Sequence, residues 1–344
     1  MSRADIVIQR PQGLYCPAGD FYIDPWRKVE RAVITHAHAD HARAGHGRYL
    51  CARSGVGVLR ARLGRIAVHG LDWGERLAIG DARVSLHPAG HILGSAQVRI
   101  EVDGDVWVVA GDYHYSNRGD TNPTCEPFEP VRCDCFVTEA TFALPIYRWP
   151  HHADVFADIE RWWADNAAAG EASMIGAYSL GKTQHLLAGL DAAVGPIYVH
   201  PAADAINTAH RAEGVALPAV RDWAELLDAR ALRGALVVAP PSAQGPWRLQ
   251  RAVTVRESFA SGWMLQHAAR RRAGLDRGFV LSDHADWPGL LAAIEATGCS
   301  RVIVTHGDGA LLARALTERG LRCGRFDTEF DSQGQDRVAA DPAT

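Results

Sequence analysis

The feature that most constrains the fold is a change of texture along the chain. Up to about residue 145 the sequence is a series of short apolar runs broken by Gly, Pro and Asp. Candidate strands are Ile6–Ile8, Phe21–Ile23, Ala32–Thr35, Val84–His87, Ala96–Val102, Val106–Ala110 and Cys135–Thr138, and a helix is plausible near 53–62. From 152 to 278 helices (153–168, 182–192, 201–213) alternate with strands (173–177, 197–200, 235–239, 252–255). Such alternation predicts a parallel sheet with crossover helices. From 279 the strand, loop and helix pattern resumes with Phe279–Leu281, Trp287–Ala296, Val302–Val304 and Gly309–Glu318, and the residues after about 325 read as a polar tail. The 344 residues suit one large domain or two.

The chemistry concentrates where apolar runs end. Ala32-Val33-Ile34 leads into Thr35-His36-Ala37-His38-Ala39-Asp40-His41, three imidazoles and a carboxylate in six positions. Neutral imidazole is the commonest metal ligand, and carboxylate widens the choice of ion. In extended chain His36 and His38 point the same way, so they can share one ion, and a turn afterwards re-aims Asp40 and His41 toward a second. His91, in the Gly-flanked loop Gly90–Gly94, is a candidate third ligand for the first ion. Asp112 follows the apolar strand Val106–Ala110 and is a candidate bridging carboxylate, as two-metal hydrolysis requires. Late in the chain, Ser282-Asp283-His284 and Val304-Thr305-His306 repeat this grammar. His306 is a candidate terminal ligand for the second ion. His284 is either a ligand or a general acid, with Glu139 placed to orient it.

Composition sets the remaining bounds. An apolar fraction of 47% and a charged fraction of 22% are ordinary for a globular protein. No run is long enough to span a membrane and Met1–Asp5 lacks a signal-peptide core, so the expectation is a cytoplasmic protein with no membrane partner. Seven cysteines argue against a disulfide framework. The close pair Cys133 and Cys135 is expected to be reduced and to share one face of a strand. The net charge of −4 gives no global sign of a nucleic-acid partner but leaves room for local patches, such as Arg270-Arg271-Arg272.

The ordered set His36-x-His38-x-Asp40-His41, His91 and Asp112 resembles the metal-binding motifs of the metallo-β-lactamase superfamily. Glu139, His284 and His306 resemble the further motifs of its nucleic-acid-processing β-CASP branch, and Asp24, in Phe21–Pro25, resembles the superfamily's first acidic motif, a support for the metal histidines. Within the branch, Asp120–Phe128, Thr138–Phe142 and Tyr178–Gln184 resemble the bacterial ligase-associated DNA exonucleases. The resemblance implies an α/β fold, an αβ/βα metallo-β-lactamase sandwich with an inserted α/β β-CASP domain. Its domains would be 1–150 and 279–330 for the core, 151–278 for the insert and 331–344 for the tail.

The resemblance further implies a di-metal phosphodiesterase, an exonuclease that trims single-stranded DNA from its 5′ end in DNA repair. Two divalent ions, zinc and/or manganese, would be held by His36, His38 and His91 and by Asp40, His41 and His306, with Asp112 bridging them. His284, backed by Glu139, would serve the departing sugar oxygen. The family's name implies a functional link to an ATP-dependent DNA ligase and a helicase. His306 itself departs from the DNA crosslink-repair members, which often carry Val there. It favours the alternative of an RNA-processing nuclease of the ribonuclease J or cleavage-and-polyadenylation type. Substrate contacts are expected at Lys182, which opens a helix where phosphate binds readily; the alternative is a plain helix start with Ser179 as its N-cap. They are also expected at Ser261, Gly262 and Trp263, where the indole could stack a base.

Overall fold

The computed structural model describes residues 4–243, 253–266 and 274–327, which form a mixed α/β protein in two compact units. The expected tail 331–344 and the triplet Arg270–Arg272 lie outside these described residues.

The first unit runs to Arg148 and resumes at His284. Its first sheet has six strands in sequential order: β1 (Ile8–Arg10), β2 (Gly13–Cys16), β3 (Phe21–Ile23), β4 (Arg31–Val33), β5 (Arg48–Ala52) and β6 (Val68–Leu71). Helix α1 (Val56–Leu63) connects the last two and buries Val58 and Leu59. The second sheet contains β7 (Leu77–Ile79), β8 (Ala82–Pro88), β9 (Ala96–Val102), β10 (Asp105–Val109) and β11 (Cys135–Thr138) from before the interruption. It is completed by β17 (Arg301–Val304) and β18 (Arg322–Arg325), in the order β18-β17-β11-β10-β9-β8-β7. β11 pairs in parallel with both β10 and β17, so the chain segments on either side of the second unit complete one sheet.

Strand alternation explains the layers. Leu14, Phe21, Ile23, Val33 and Leu50 of the first sheet meet Val84, Leu86, Val98, Ile100, Val109, Val137 and Ile303 of the second in one core. The intervening residues Val108, Phe136 and Val302 face the other way. They pack against Leu290 and Ile294 of α5 (Trp287–Thr297) and Leu312 and Leu316 of α6 (Ala310–Glu318). The period-2 pattern of a strand buried on both faces accounts for the near-continuous apolar runs. Burying each such side chain is worth about 1.5–3 kcal/mol.

The second unit spans Trp149–Asp283. Its sheet, in the order β13-β14-β12-β15-β16, is wholly parallel, built from β12 (Ala172–Gly176), β13 (Ile197–Val199), β14 (Leu236–Ala239), β15 (Val255–Ala260) and β16 (Arg277–Phe279). Its described α-helices are α2 (His152–Ala168), α3 (Lys182–Gly189) and α4 (Asp204–Ala212). Val155, Ile159 and Trp163 of α2 pack on Ile175, Val199 and Val238.

Several expectations need correction. The strand expected at 279–281 is Arg277–Phe279, and it pairs with β15, so this stretch belongs to the second unit. The units accordingly divide at 148/149 and 283/284 and not at 150/151 and 278/279. The strand expected at 252–255 runs over Val255–Ala260, carried onward by pairing with β12. Cys133 and Cys135 do not share a face. Cys133 precedes β11 and packs toward the helices, while Cys135 enters the inter-sheet core. Both are free thiols, and burial pushes Cys133 up to about 12.

Candidate metal centre

Apart from His284, the histidines and carboxylates singled out in the first unit follow strand ends. β4 leads to His36–His41, β8 to His91, β10 to Asp112, β11 to Glu139 and β17 to His306. Because β10, β11 and β17 run parallel, their following loops open at one end of the sheet, where functional residues of α/β proteins gather.

His36, His38, His91 and Asp112 bring one ligand atom each within 4.8 Å of the others. His38 Nδ1 lies 3.1 Å from His36 Nε2 and 3.1 Å from His91 Nε2. Asp112 Oδ2 lies 3.6 Å from His36 Nε2 and 3.9 Å from His91 Nε2. Ligands bound about 2.0–2.1 Å from one tetrahedral ion stand about 3.3–3.4 Å apart, so the four atoms are spaced as such a shell requires. Around the same carboxylate, His41 Nε2 is 3.4 Å from Asp112 Oδ2 and 4.0 Å from Asp40 Oδ2. The His306 ring stacks on that of His41 at 4.8 Å.

The other nitrogen of these rings is fixed by neighbours. Asp24 Oδ2 takes the Nδ1 proton of His41 at 2.7 Å, and the same carboxylate accepts from Thr35 N (2.8 Å) and Thr35 Oγ1 (2.6 Å). Thr35 Oγ1, its proton given to Asp24, is left to accept from His36 Nδ1 at 3.1 Å. Thr305 Oγ1 lies 3.3 Å from His306 Nδ1. Each contact leaves Nε2 as the open end, the arrangement by which outer partners aim metal-binding imidazoles. His41 Nε2 shows this most directly: beyond its ion-pair approach to Asp112, this buried nitrogen has no hydrogen-bond partner among the described residues. Such an atom costs stability unless something binds it.

The electrostatics agree. Burial opposes ionisation of Asp112, yet the surrounding imidazoles, His41 first, hold its carboxyl well below the usual range. Burial likewise opposes the His41 cation, but Asp112, Asp40 and Asp24 raise it well above an ordinary imidazole. His36 is held well below the imidazole range by burial and by His41, and His306 is lowered for the same reasons. Without an ion, one imidazole carries the positive charge that the carboxylates demand. A divalent cation satisfies the same demand and fits the converging donors. The clusters therefore could bind a metal ion.

His284 belongs to a second group, with Asp112 and Glu139. Its Nδ1 is bonded to Glu139 Oε2 at 2.9 Å, Glu139 is 1% exposed, and Glu139 Oε1 also accepts Tyr113 N at 2.8 Å. Backbone strain marks the centre as well. Asp24 (φ 44°) and His306 (φ 52°) occupy the left-handed region, which non-glycine residues enter at a cost of about 1–2 kcal/mol.

The residues expected to meet substrate, Lys182, Ser261, Gly262 and Trp263, lie in the second unit. Lys182 is buried, its ammonium 2.7 Å from Asp283 Oδ2 and donating to Leu281 O at 2.9 Å, so its charge is committed inside the second unit and not offered to a phosphate. The α3 N-cap is Gly181 in place of Ser179, its N–H satisfied by Gln184 Oε1 at 2.7 Å. Ser261 caps the 3-10 turn Gly262–Leu265, and Trp263 packs against Phe259 and Met264.

Other supports carry no sequence signal of their own. Arg62 of α1 donates to the carbonyls of Ala37 and Ala42, bracketing the His38–His41 run. Ser95 Oγ accepts the N–H groups of His91 and Ile92, and Asn122 Nδ2 donates to His91 O. Only the fold brings these residues to the ligands.

No protein-family model matches the chain. A probable DNA ligase of Opitutus terrae is 32% identical over 312 residues, covering 90% of this chain but 30% of that protein, so the chain spans less than a third of its relative. A protein of unknown function from Enterococcus faecalis V583, solved by crystallography, superposes with a TM-score of 0.55 at 12% identity over 82% of this chain and 76% of that one. That likeness is one of fold alone. What fold and site define together is a mixed α/β protein with buried His, Asp and Glu clusters suited to a metal ion. Among the described residues no helix is long and apolar enough to cross a membrane.

Proposed function

We propose that this chain is a metal-dependent nuclease of the metallo-β-lactamase superfamily, β-CASP branch, and that it acts on DNA as an exonuclease. The observation that carries the reading is the convergence of His36 Nε2, His38 Nδ1, His91 Nε2 and Asp112 Oδ2. His41, Asp40 and His306 are grouped around the same Asp112. Bound divalent ions, zinc or manganese, would supply an activated water near neutral pH and offset charge on the phosphoryl oxygens. His36, His38 and His91 would hold one ion, Asp40, His41 and His306 the other, and Asp112 both. Asp24 keeps the proton on His41 Nδ1, so that Nε2 stays available.

His284 would act on the leaving group. Glu139 fixes its Nδ1 proton and stabilises the imidazolium, and the Nε2 proton passes to the sugar oxygen as the phosphorus–oxygen bond breaks. The DNA assignment is supported by the relative described as a DNA ligase. A nuclease segment within or beside a ligase would trim the ends that ligation then joins. A second reading, RNA processing, is favoured by the presence of His306 where the DNA crosslink-repair members often carry Val.

The test is to incubate purified protein with matched DNA and RNA strands, labelled at either the 5′ or the 3′ end, in zinc or manganese. The expected result is stepwise shortening of single-stranded DNA from the 5′ end, abolished in Asp112→Ala. Preferential cutting of RNA would favour the second reading. If neither polymer is cut while metal is bound, the nuclease assignment fails.

A further inference from the structure

The first unit carries a polar cavity that the metal cluster does not use. Val84 and Leu86 of β8, and Val98 and Ile100 of β9, point into the inter-sheet core. By strand alternation Ser85, His87 and Arg99 therefore share the opposite face, and Ser85 pairs with Arg99 in register. On that face a cavity of about 300 Å³ is lined by these three residues with Arg76, Glu129 and Arg132. Inside it Ser85 Oγ lies 3.1 Å from His87 Nε2, and His87 Nδ1 lies 3.1 Å from Glu129 Oε1. Arg99 is steadied from outside by Glu101 Oε2 at 2.9 Å, and the Arg132 guanidinium lies against Gly298.

We propose that this cavity is a binding site for a phosphate monoester carried on a nucleotide-sized ligand. Among the described residues, Arg76, Arg99 and Arg132 outnumber Glu129 of the lining and Glu101, which pairs with Arg99 at its edge, so the lining carries a net positive charge. Guanidinium forks match the several oxygens of phosphate bidentately, where a lone carboxylate ligand would leave donors idle. The volume stands at the lower end of small-molecule sites, enough for one nucleotide unit and not for a duplex. Ser85, His87 and Glu129 also stand in the order of a serine nucleophile, its base and an orienting acid. Ser85, however, is in the interior of a strand and 2% exposed, so the relay is assigned to holding the His87 ring against the cavity wall. This site stands independently of the nuclease reading.

The test is calorimetric titration of the full chain, in an Asp112→Asn background that prevents strand cleavage. The probes are inorganic phosphate, deoxyadenosine 5′-monophosphate and a 5′-phosphorylated thymidine octamer. Arg76 and Arg132 are exposed, so the Arg76→Gln/Arg132→Gln double variant should fold normally. The site predicts that this variant loses about tenfold or more in affinity for the phosphate monoester, since each charged fork is lost outright. Glu129→Gln, which removes the carboxylate found in the lining among the described residues, should bind more tightly. Binding of the mononucleotide alone identifies a free nucleotide as ligand, and binding of the octamer alone identifies a strand end. Absence of saturable binding, or equal affinity in the double variant, would overturn the assignment.

Discussion

Asp24→Asn tests the support behind His41 and, through Thr35, behind His36, while every candidate metal ligand stays in place. Asp24 Oδ2 lies 2.7 Å from His41 Nδ1, and the side chain is 11% exposed, so solvent screens the contact little. Asparagine tolerates the left-handed backbone at this position (φ 44°) and keeps an oxygen for Thr35 N. It removes the charge that holds the His41 Nδ1 proton in place. A hydrogen bond to a charged group is worth about 1.5–3 kcal/mol. Changes in such outer partners typically cost about 10–100-fold in metal affinity, or about 1.4–2.8 kcal/mol at about 1.4 kcal/mol per decade. The two routes to the magnitude agree. The assay is chelator-competition titration with zinc and with manganese, paired with urea unfolding of the metal-free protein. Metal affinity should fall by about one to two decades while the metal-free protein keeps a cooperative transition. An affinity within about threefold of wild type, less than about 0.7 kcal/mol, would show that Asp24 does not aim His41 at a cation.

Other outcomes follow from the same geometry. Glu139→Gln and His284→Ala should slow strand cleavage by about 10²–10⁴-fold with metal affinity retained. If His284→Ala instead releases metal, then Asp112, Glu139 and His284 form a ligand set. Arg62→Ala frees the carbonyls of Ala37 and Ala42 and should weaken metal binding although every ligand remains, as equilibrium titration would show. Finally, the raised His41 cation stabilises the metal-free fold fully below its unfolded pKa of about 6.5 and loses that contribution as pH rises toward the folded value. The stability difference between wild type and His41→Gln, measured by urea unfolding in the metal-free state, should therefore shrink as pH rises above about 6.5. A difference independent of pH would refute this assignment.

Much of the first unit was legible because its strands are buried on both faces and so read as unbroken apolar runs. β9, β10 and β11 stand close to where their valines and isoleucines put them. Strands such as β2 (Gly-Leu-Tyr-Cys) and β6 (Val-His-Gly-Leu) gave no such signal, since pairing with neighbours and not composition makes them strands. The 279–281 stretch was assigned to the wrong unit for a related reason. Its apolar residues announce a buried strand but not the partner, and the partner is β15. Lys182 shows the same limit for a side chain: a lysine opening a helix suggests a phosphate, and only the fold reveals Asp283 2.7 Å away.

By itself the sequence determined which residue types would gather and at which strand ends. Imidazoles and carboxylates clustered after apolar runs are costly to bury and cheap to explain as ligands. It could not determine their distances, because His36, His91, Asp112, His284 and His306 lie far apart along the chain and meet only through sheet register. The tertiary structure alone decided that His36, His38, His91 and Asp112 are spaced as one shell and that His41 Nε2 has no hydrogen-bond partner among the described residues. It alone set Arg62, Ser95 and Asn122 behind the ligand loops, and assembled Arg76, Ser85, His87 and Glu129 around a separate cavity. The physical reason is the same throughout: composition sets what a group needs, but only backbone pairing fixes what stands within 3 Å of it.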